Sequence, residues 1–300
     1  MITFILVVLI LISILIGMTI HELGHFTFAK IFKVNVKEFS IGIGPKLFQW
    51  KTKKGTRVSL RLIPLMAYVL IDNQKTVTLY NEILVEHLSQ KDSIDKRYNL
   101  VSKSGNFFSK SYMNFRYKKY YSDLSNYEYM SSVQENSLLL DDVQLWKKNI
   151  IFFGGVFFNL ISFFIFWLIQ YFGFNVHDNP FVQVGQSLLT LLKNMVFMGN
   201  GIGTVFGSIA NVSQSSNGFQ GISGFDFFKI IFNFLTLFSI MLFIYNLLPI
   251  PPLDGYKIMI ETLQKWFKFK ISKKAETIIT IIGFLILIYI FITSIIADII

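Results

Sequence analysis

Four predominantly apolar stretches of this chain carry no charged residue and are long enough to cross a lipid bilayer: residues 1–20, 150–174, 230–253 and 277–297. Each meets the length of about 20 residues that a helix needs to traverse a hydrocarbon core of about 30 Å. Backbone inside lipid must satisfy its own hydrogen bonds, which restricts such stretches to helices. The first runs directly into His21-Glu22-Leu23-Gly24-His25. Ionisable groups are costly at membrane depth and persist there when they have a function. Positions i and i+4 share a helix face, so His21 and His25 can hold one metal ion together. Glu22 follows the first histidine closely enough to serve as a base toward a water at that ion.

The stretch 1–20 has no small-residue cleavage site, so the expectation is a retained helix and not a removed signal peptide. Composition fits a membrane protein: 53% of the 300 residues are hydrophobic and only 15% are charged. The absence of cysteine excludes disulfides and thiolate metal sites. A transition-metal site must therefore draw on His, Asp or Glu, and the chain has four histidines.

The net charge of +10 is not spread evenly. Residues 30–148 hold 20 of the 28 Lys and Arg, residues 257–274 hold six, and residues 149–256 hold only Lys193 and Lys229. Basic loops stay on the cytoplasmic side, which predicts four crossings with both basic segments inside and both termini outside. The basic excess then faces anionic lipid headgroups, and no nucleic-acid partner is expected.

Between the spans the chain changes character. Ser40-Ile41-Gly42-Ile43-Gly44-Pro45 carries turn chemistry, and Lys53-Lys54-Gly55-Thr56 suits a hairpin loop. Leu47-Phe48-Gln49-Trp50 and Val58-Ser59-Leu60-Arg61-Leu62 alternate with a period near two, which predicts a small sheet at the cytoplasmic membrane surface. Residues 72–148 are rich in Ser, Asn, Lys and Tyr and show no catalytic spacing. They read as a cytoplasmic insert, with His87 a solvated surface histidine. The stretch 181–217 is nearly uncharged but broken by glycines, and suits an amphipathic helix at the external interface. No internal repeat is evident.

A catalytic zinc site normally has three protein ligands and one open position. In Asn246-Leu247-Leu248-Pro249-Ile250-Pro251-Pro252-Leu253-Asp254-Gly255, three prolines and a glycine break the third span near its cytoplasmic end. Asp254 leaves that break at the expected depth of His21 and His25. An Asp before Gly after prolines also suits a simple turn or helix cap, but the matching depth favours Asp254 as the third ligand.

These segments together resemble the site-2 protease family of intramembrane zinc metalloproteases, closest to its bacterial regulated-intramembrane-proteolysis group. The likeness rests on His21 through Phe26; on Phe39-Ser40-Ile41-Gly42-Ile43-Gly44-Pro45-Lys46-Leu47 with Gly55-Thr56, Leu62-Ile63-Pro64 and Tyr68-Val69; on Gly155 and Asn159; and on Asn246 to Gly255. Val156 stands where the family has proline, Met66-Ala67 where it has Gly-Gly, and Tyr256 where it has a second glycine. Only about fifty residues separate the second and third spans, too few for the external PDZ domain of close relatives.

The resemblance implies a polytopic α-helical membrane protein with four transmembrane helices and a small membrane-associated β-sheet after the first helix. Its expected segments are 1–33 (first span and zinc motif), 34–71 (β segment), 72–148 (insert), 149–175 (second span), 176–225 (external interfacial segment), 226–256 (third span with the Asp motif), 257–275 (basic cytoplasmic loop) and 276–300 (fourth span). One Zn²⁺ would be held by His21, His25 and Asp254, with Glu22 as general base. Asn246 would bind substrate, and Val58, Leu60 and Leu62 would offer a strand edge to an unwound substrate segment. The expected substrates are transmembrane proteins or signal peptides within the bilayer. The alternatives are a metal-ion transporter and a non-catalytic membrane adaptor that keeps the fold; an intact Glu22 argues against the adaptor.

Overall fold

The computed structural model describes residues 2–174 and 224–299, with Val182 and Gly185 as isolated positions between them. The interfacial helix expected within 181–217 lies outside the described residues. Helix α1 (Ile2–Ile31) is followed by strands β1 (Val36–Lys51) and β2 (Arg57–Ile71), then helices α2 (Gln74–Ser104) and α3 (Phe107–Ser131) and a short 3₁₀ turn (Leu140–Asp142). Helices α4 (Leu145–Gly173), α5 (Gly224–Leu247), α6 (Asp254–Phe267) and α7 (Lys273–Ile299) complete the order.

Three helices among the described residues are long and apolar enough to cross a membrane: Val8–Ile31 in α1, all of α4, and Phe228–Leu247 in α5. They overlap the first three uncharged stretches, and α7 contains the fourth. Helix α4 is the centre, packing against α1, α5 and α6. Its inward face carries Ile151, Gly154, Gly155, Asn159, Ser162, Phe163 and Gln170, all buried. Its opposite face leaves Ile161, Ile165, Leu168 and Phe172 exposed. An apolar wall of this kind suits hydrocarbon as the surrounding solvent. Between spans the polar side chains find one another: Ser162 Oγ donates to Ser239 Oγ at 3.1 Å, and Gln170 Nε2 donates to Thr236 Oγ1. Lipid offers these groups no other partner.

The sheet corrects one expectation. No turn forms at 40–45; β1 runs on through it, because Gly42 and Gly44 sit at φ +86° and +84° and bend the strand without ending it. Only glycine adopts such angles at little cost. The loop at Lys53-Lys54-Gly55 is a tight turn as expected, closed by Gly55 N–H donating to Thr52 O at 2.9 Å. Because both strands bend, the first half of β1 has β2 on both sides. Phe39 is partnered by Val58 and by Val69, and Ile41 by Leu60 and by Ala67, while Val58 also pairs with Trp50. The bent end exposes Leu47, Phe48, Trp50, Leu62, Leu65 and Met66, an apolar surface fit for lipid contact.

The 72–148 segment holds a long helical hairpin. Asn73 caps α2 by accepting from Thr76 N–H at 2.8 Å, and Asn106 caps α3 by accepting from Ser109 N–H at 2.9 Å. His87 lies in this hairpin, stacked on Tyr120 with ring centroids 5.3 Å apart, away from the metal motif. Tyr129 fastens the hairpin to the sheet: its hydroxyl meets Lys37 O and Gly55 O at 2.7 Å each, and the Arg57 guanidinium lies 3.6 Å above its ring. Beneath it, Lys37 Nζ pairs with Asp72 Oδ2 at 3.2 Å, both side chains essentially inaccessible. Asn35 Nδ2 donates to the same oxygen. Burial pushes the Asp72 carboxyl up to about 6 despite the lysine, and pushes Lys37 down.

Much of the basic connection expected at 257–275 is helical. Residues up to Phe267 form α6, an amphipathic helix that packs on α4 and ends at Lys268 in a left-handed conformation.

Candidate metal centre

One turn of α1 carries His21 and His25 on the side that meets α4, with Glu22 turned toward β2. Close approach of the two helices depends on glycine: a Cβ at Gly24 would lie 2.1 Å from Gly154 O. At Gly155 a Cβ would lie 2.5 Å from His25 Nε2 and 2.6 Å from His21 Cε1, so the missing side chain makes room for both imidazoles. The third member comes from far along the sequence. Helix α5 ends at Leu247, the prolines carry the chain round, and Asp254 opens α6, 2% exposed.

Asp254 Oδ2 lies 3.1 Å from His21 Nε2 and 2.9 Å from His25 Nε2, and the two Nε2 atoms are 3.1 Å apart. Donors around a tetrahedral zinc with bonds of about 2.0–2.1 Å sit about 3.3 Å from one another, close to this spacing. The hydrogen bonds behind the rings agree. His25 Nδ1 lies 2.8 Å from Ile151 O, which can only accept, so Nδ1 carries the proton and Nε2 is left with its lone pair. His21 Nδ1 lies 2.9 Å from the Asn159 amide, whose Oδ1 has no other partner. With that amide turned, Oδ1 accepts from Nδ1–H and frees His21 Nε2 in the same way.

Two lone pairs and a carboxylate oxygen thus converge in a buried place, and Asp254 Oδ2 has no hydrogen-bond donor. Such an arrangement is repulsive until a cation sits among the three donors. The residues present therefore fit zinc. Lys257 Nζ holds the other carboxylate oxygen, Oδ1, at 2.9 Å, which steers Oδ2 toward the histidines.

The cluster opens into a cavity of about 420 Å³ bordered by Glu22, Tyr68 to Ile71, Asn246 and Lys257. Glu22 Oε2 accepts from the backbone N–H of Val69 at 3.1 Å, which fixes the carboxylate against β2. Asn246 reaches the same cavity and donates through Nδ2 to Leu242 O at 3.0 Å. The structure thus brings His21, Glu22, His25, Asn246 and Asp254 around one space.

It does not bring Val58, Leu60 and Leu62 there. Val58 and Leu60 lie inside the sheet with β1 on both sides, and Leu62 points from its exposed apolar end. Val58 and Leu60 are paired with β1 on both edges, which leaves no edge there for a substrate strand, and Leu62 lies away from the cavity. The strand facing the cavity is the last part of β2, residues 67–71. Sequence reasoning assigned no function to Asn159, Lys257 or the Val69 amide. Asn159 lies on α4 where a polar residue in an apolar run was visible, whereas a backbone amide leaves no mark in a sequence.

Comparisons with known proteins agree with this geometry. A Fusobacterium nucleatum protein named "Putative zinc metalloprotease FN1322" is 54% identical over 56 residues, 19% of this chain and 16% of its own length. The Enterococcus faecalis protein named "Probable protease eep" is 50% identical over 50 residues, 17% of this chain and 12% of its own. The matched stretches are thus a small part of either relative. The sequence profile of Peptidase family M50 matches residues 9–290. A match over nearly the whole chain, taking in every element that builds the cluster, places this chain in peptidase family M50.

Proposed function

We propose that this chain is an intramembrane zinc metalloprotease that hydrolyses peptide bonds within or near the transmembrane segments of other membrane proteins. The observation that carries the reading is the buried trio His21, His25 and Asp254 with Glu22 beside it, at the wall of a cavity bordered by a strand. His21 Nε2, His25 Nε2 and Asp254 Oδ2 would hold the ion. When bound, zinc supplies Lewis-acid polarisation of the scissile carbonyl and acidifies water.

The side chains do the rest. Glu22 is held at Oε2 by the Val69 amide, so Oε1 is free to take a proton from water and later deliver it to the leaving nitrogen. Asn159 and Ile151 O keep each imidazole in the tautomer that leaves Nε2 available. A peptide bond inside a helix is sterically closed, so the substrate must be extended at the site. Residues 67–71 of β2 offer main-chain groups to such a segment, and Asn246 contacts it from the opposite wall. Main-chain pairing tolerates many sequences, so cleavage depends on how readily a substrate helix unwinds.

The same proposal includes the topology. Helices α1, α4, α5 and α7 cross the membrane, the sheet and the α2–α3 hairpin lie on the cytoplasmic side, and both ends of the chain face outward. The concentration of Lys and Arg in residues 30–148 and 257–274 supports this orientation. Substrates of regulated intramembrane proteolysis and leftover signal peptides both fit the site.

The test is Glu22→Gln in purified, zinc-loaded protein given a helical membrane peptide. Zinc content should match the unsubstituted protein and cleavage should fall to background. Cleavage at an unchanged rate would remove Glu22 from the reaction, and a lack of zinc-dependent cleavage by the unsubstituted protein would overturn the protease reading.

A further inference from the structure

The α2–α3 hairpin touches the metal centre only through its first turn, yet its far half has a chemistry of its own. Residues 96–119 hold seven Lys and Arg and not one Asp or Glu. The acids of the hairpin, among them Asp92, Asp95 and Asp123, lie nearer its base. At the apex Phe107 and Phe108 are 79% and 81% exposed, and Leu100 and Phe115 close by are 66% and 67% exposed. Between the helices is a hollow of about 280 Å³ bordered by Arg97, Arg116 and Lys119, with Asp123 and His87 also on its wall. None of the three cations is in an ion pair among the described residues; Arg116 meets only the Tyr112 ring, at 5.9 Å.

Uncovered phenyl rings next to unneutralised cations are poorly suited to water and well suited to a bilayer interface. There the rings enter the headgroup region and the cations meet phosphates. A single-stranded nucleic acid would use rings placed along the cationic groove, to stack its bases. Here the rings bordering the hollow, His87 and Tyr120, are already stacked on each other, and the Phe pair lies outside it, at the apex. The hairpin is also tethered to a body that carries membrane-crossing helices. Its base is fixed to the sheet by Tyr129 and to the start of α7 by the Lys75–Glu276 pair at 2.6 Å. A helix of 31 residues is about 46 Å long, so a hairpin lying along the membrane surface would bring its apex to lipid well beside the protein.

We propose that the far half of this hairpin is a docking surface for an anionic bilayer, with Phe107 and Phe108 as the inserted apex and Arg97, Arg116 and Lys119 as the phosphate-binding group. The native target is the cytoplasmic leaflet, which rests on the topology proposed above.

The chain has no cysteine, so Ser109→Cys provides a unique attachment point for a nitroxide beside the Phe pair, and Ser89→Cys a control in mid-α2. The full-length labelled protein is placed in nanodiscs of phosphatidylcholine with or without phosphatidylglycerol. Collision with oxygen against a water-soluble nickel chelate reports immersion. The label at 109 should move from water to lipid when phosphatidylglycerol is present and return in high salt, while the label at 89 stays aqueous. Arg97→Ala, Arg116→Ala and Lys119→Ala should each lower the docked-to-free ratio about 5-fold. Phe107→Ser with Phe108→Ser should abolish immersion. All five side chains are exposed, and unchanged zinc content verifies that these variants fold. A label at 109 that stays aqueous in phosphatidylglycerol overturns the proposal. So does one that responds to polyuridine or polyglutamate but not to the anionic lipid. Nanodiscs present both leaflets, so this result does not depend on orientation. Reaction of Ser109→Cys with an impermeant maleimide outside intact cells would refute the proposed topology and leave the nanodisc result standing.

Discussion

Gly155→Ala tests whether α4 sets the positions of the metal ligands. The added Cβ would lie 2.5 Å from His25 Nε2 and 2.8 Å from His21 Nε2, where ordinary contact begins at 3.4 Å. One or both imidazoles, or α4 itself, must retreat by roughly 0.6–0.9 Å, against a tolerance of about 0.2 Å for a zinc site. Overpacking of this kind costs about 1–3 kcal/mol, and about 1 kcal/mol returns through the better helix propensity of alanine. Thermal unfolding in detergent should therefore change little. Zinc affinity should fall about 100-fold or more, beyond the 10–100-fold effect of disturbing a ligand's supporting contacts. Competition with chelators of graded strength measures the affinity, and a membrane-peptide assay should follow it down. Gly173→Ala in the same helix is the control, since nothing lies within 4 Å of a Cβ there. Undiminished zinc affinity in Gly155→Ala would show that α4 does not position the histidines, and the geometric argument for the centre would fail.

Other perturbations probe separate parts. Asp254→Asn should lose zinc on dialysis against a mild chelator, whereas Asp142→Asn, an exposed aspartate in the 3₁₀ turn, should retain it; equal metal content in both would remove Asp254 from the coordination shell. Asn159→Leu should weaken zinc binding about 10–100-fold with the helices intact, because His21 Nδ1–H loses its acceptor; elemental analysis at limiting zinc checks this. Lys37→Met should cost about 3–5 kcal/mol at pH 8 by leaving Asp72 charged and buried without its partner. The Asp72 carboxyl is up at about 6 in the folded chain, above the ordinary 3.8, so its penalty grows as pH rises through 6 and is absent below about 4. Melting of Lys37→Met should thus approach that of the unsubstituted protein at pH 5, and an equal deficit at pH 5 and pH 8 would refute the argument. Val69→Pro deletes the amide that holds Glu22 and should reduce cleavage with zinc content unchanged; a normal rate would show that the base needs no support from β2.

Much of the centre was legible because its signals are local. An uncharged run is bounded by the thickness of a bilayer, and the i, i+4 spacing puts His21 and His25 on one face whatever surrounds them. Asp254 was legible because the proline break, a local feature too, brought an acid out of a span at a fixed depth. The helical hairpin was harder to read. Its α3 has only Tyr120, Leu124 and Met130 buried, and α2 has no buried residue at all, so no continuous apolar stripe announced either helix.

The expected strand edge at Val58, Leu60 and Leu62 rested on alternation, whereas the structure places those residues away from the cavity. Alternation with a period of two identifies a strand but says nothing about which of its edges is free. That depends on where Gly42 and Gly44 bend β1, which wraps its first half between two parts of β2 and leaves residues 67–71 beside Glu22. The sequence alone determined which residues can bind a metal and which stretches are apolar enough to cross a bilayer, because helix periodicity and hydropathy act within one segment. Only the tertiary structure decided that Asn159 and Ile151 orient the rings, that Gly155 leaves them room, and that the Val69 amide holds the Glu22 carboxylate. Each of those is a contact between segments distant in the chain, set by how closely the helices and the bent sheet pack.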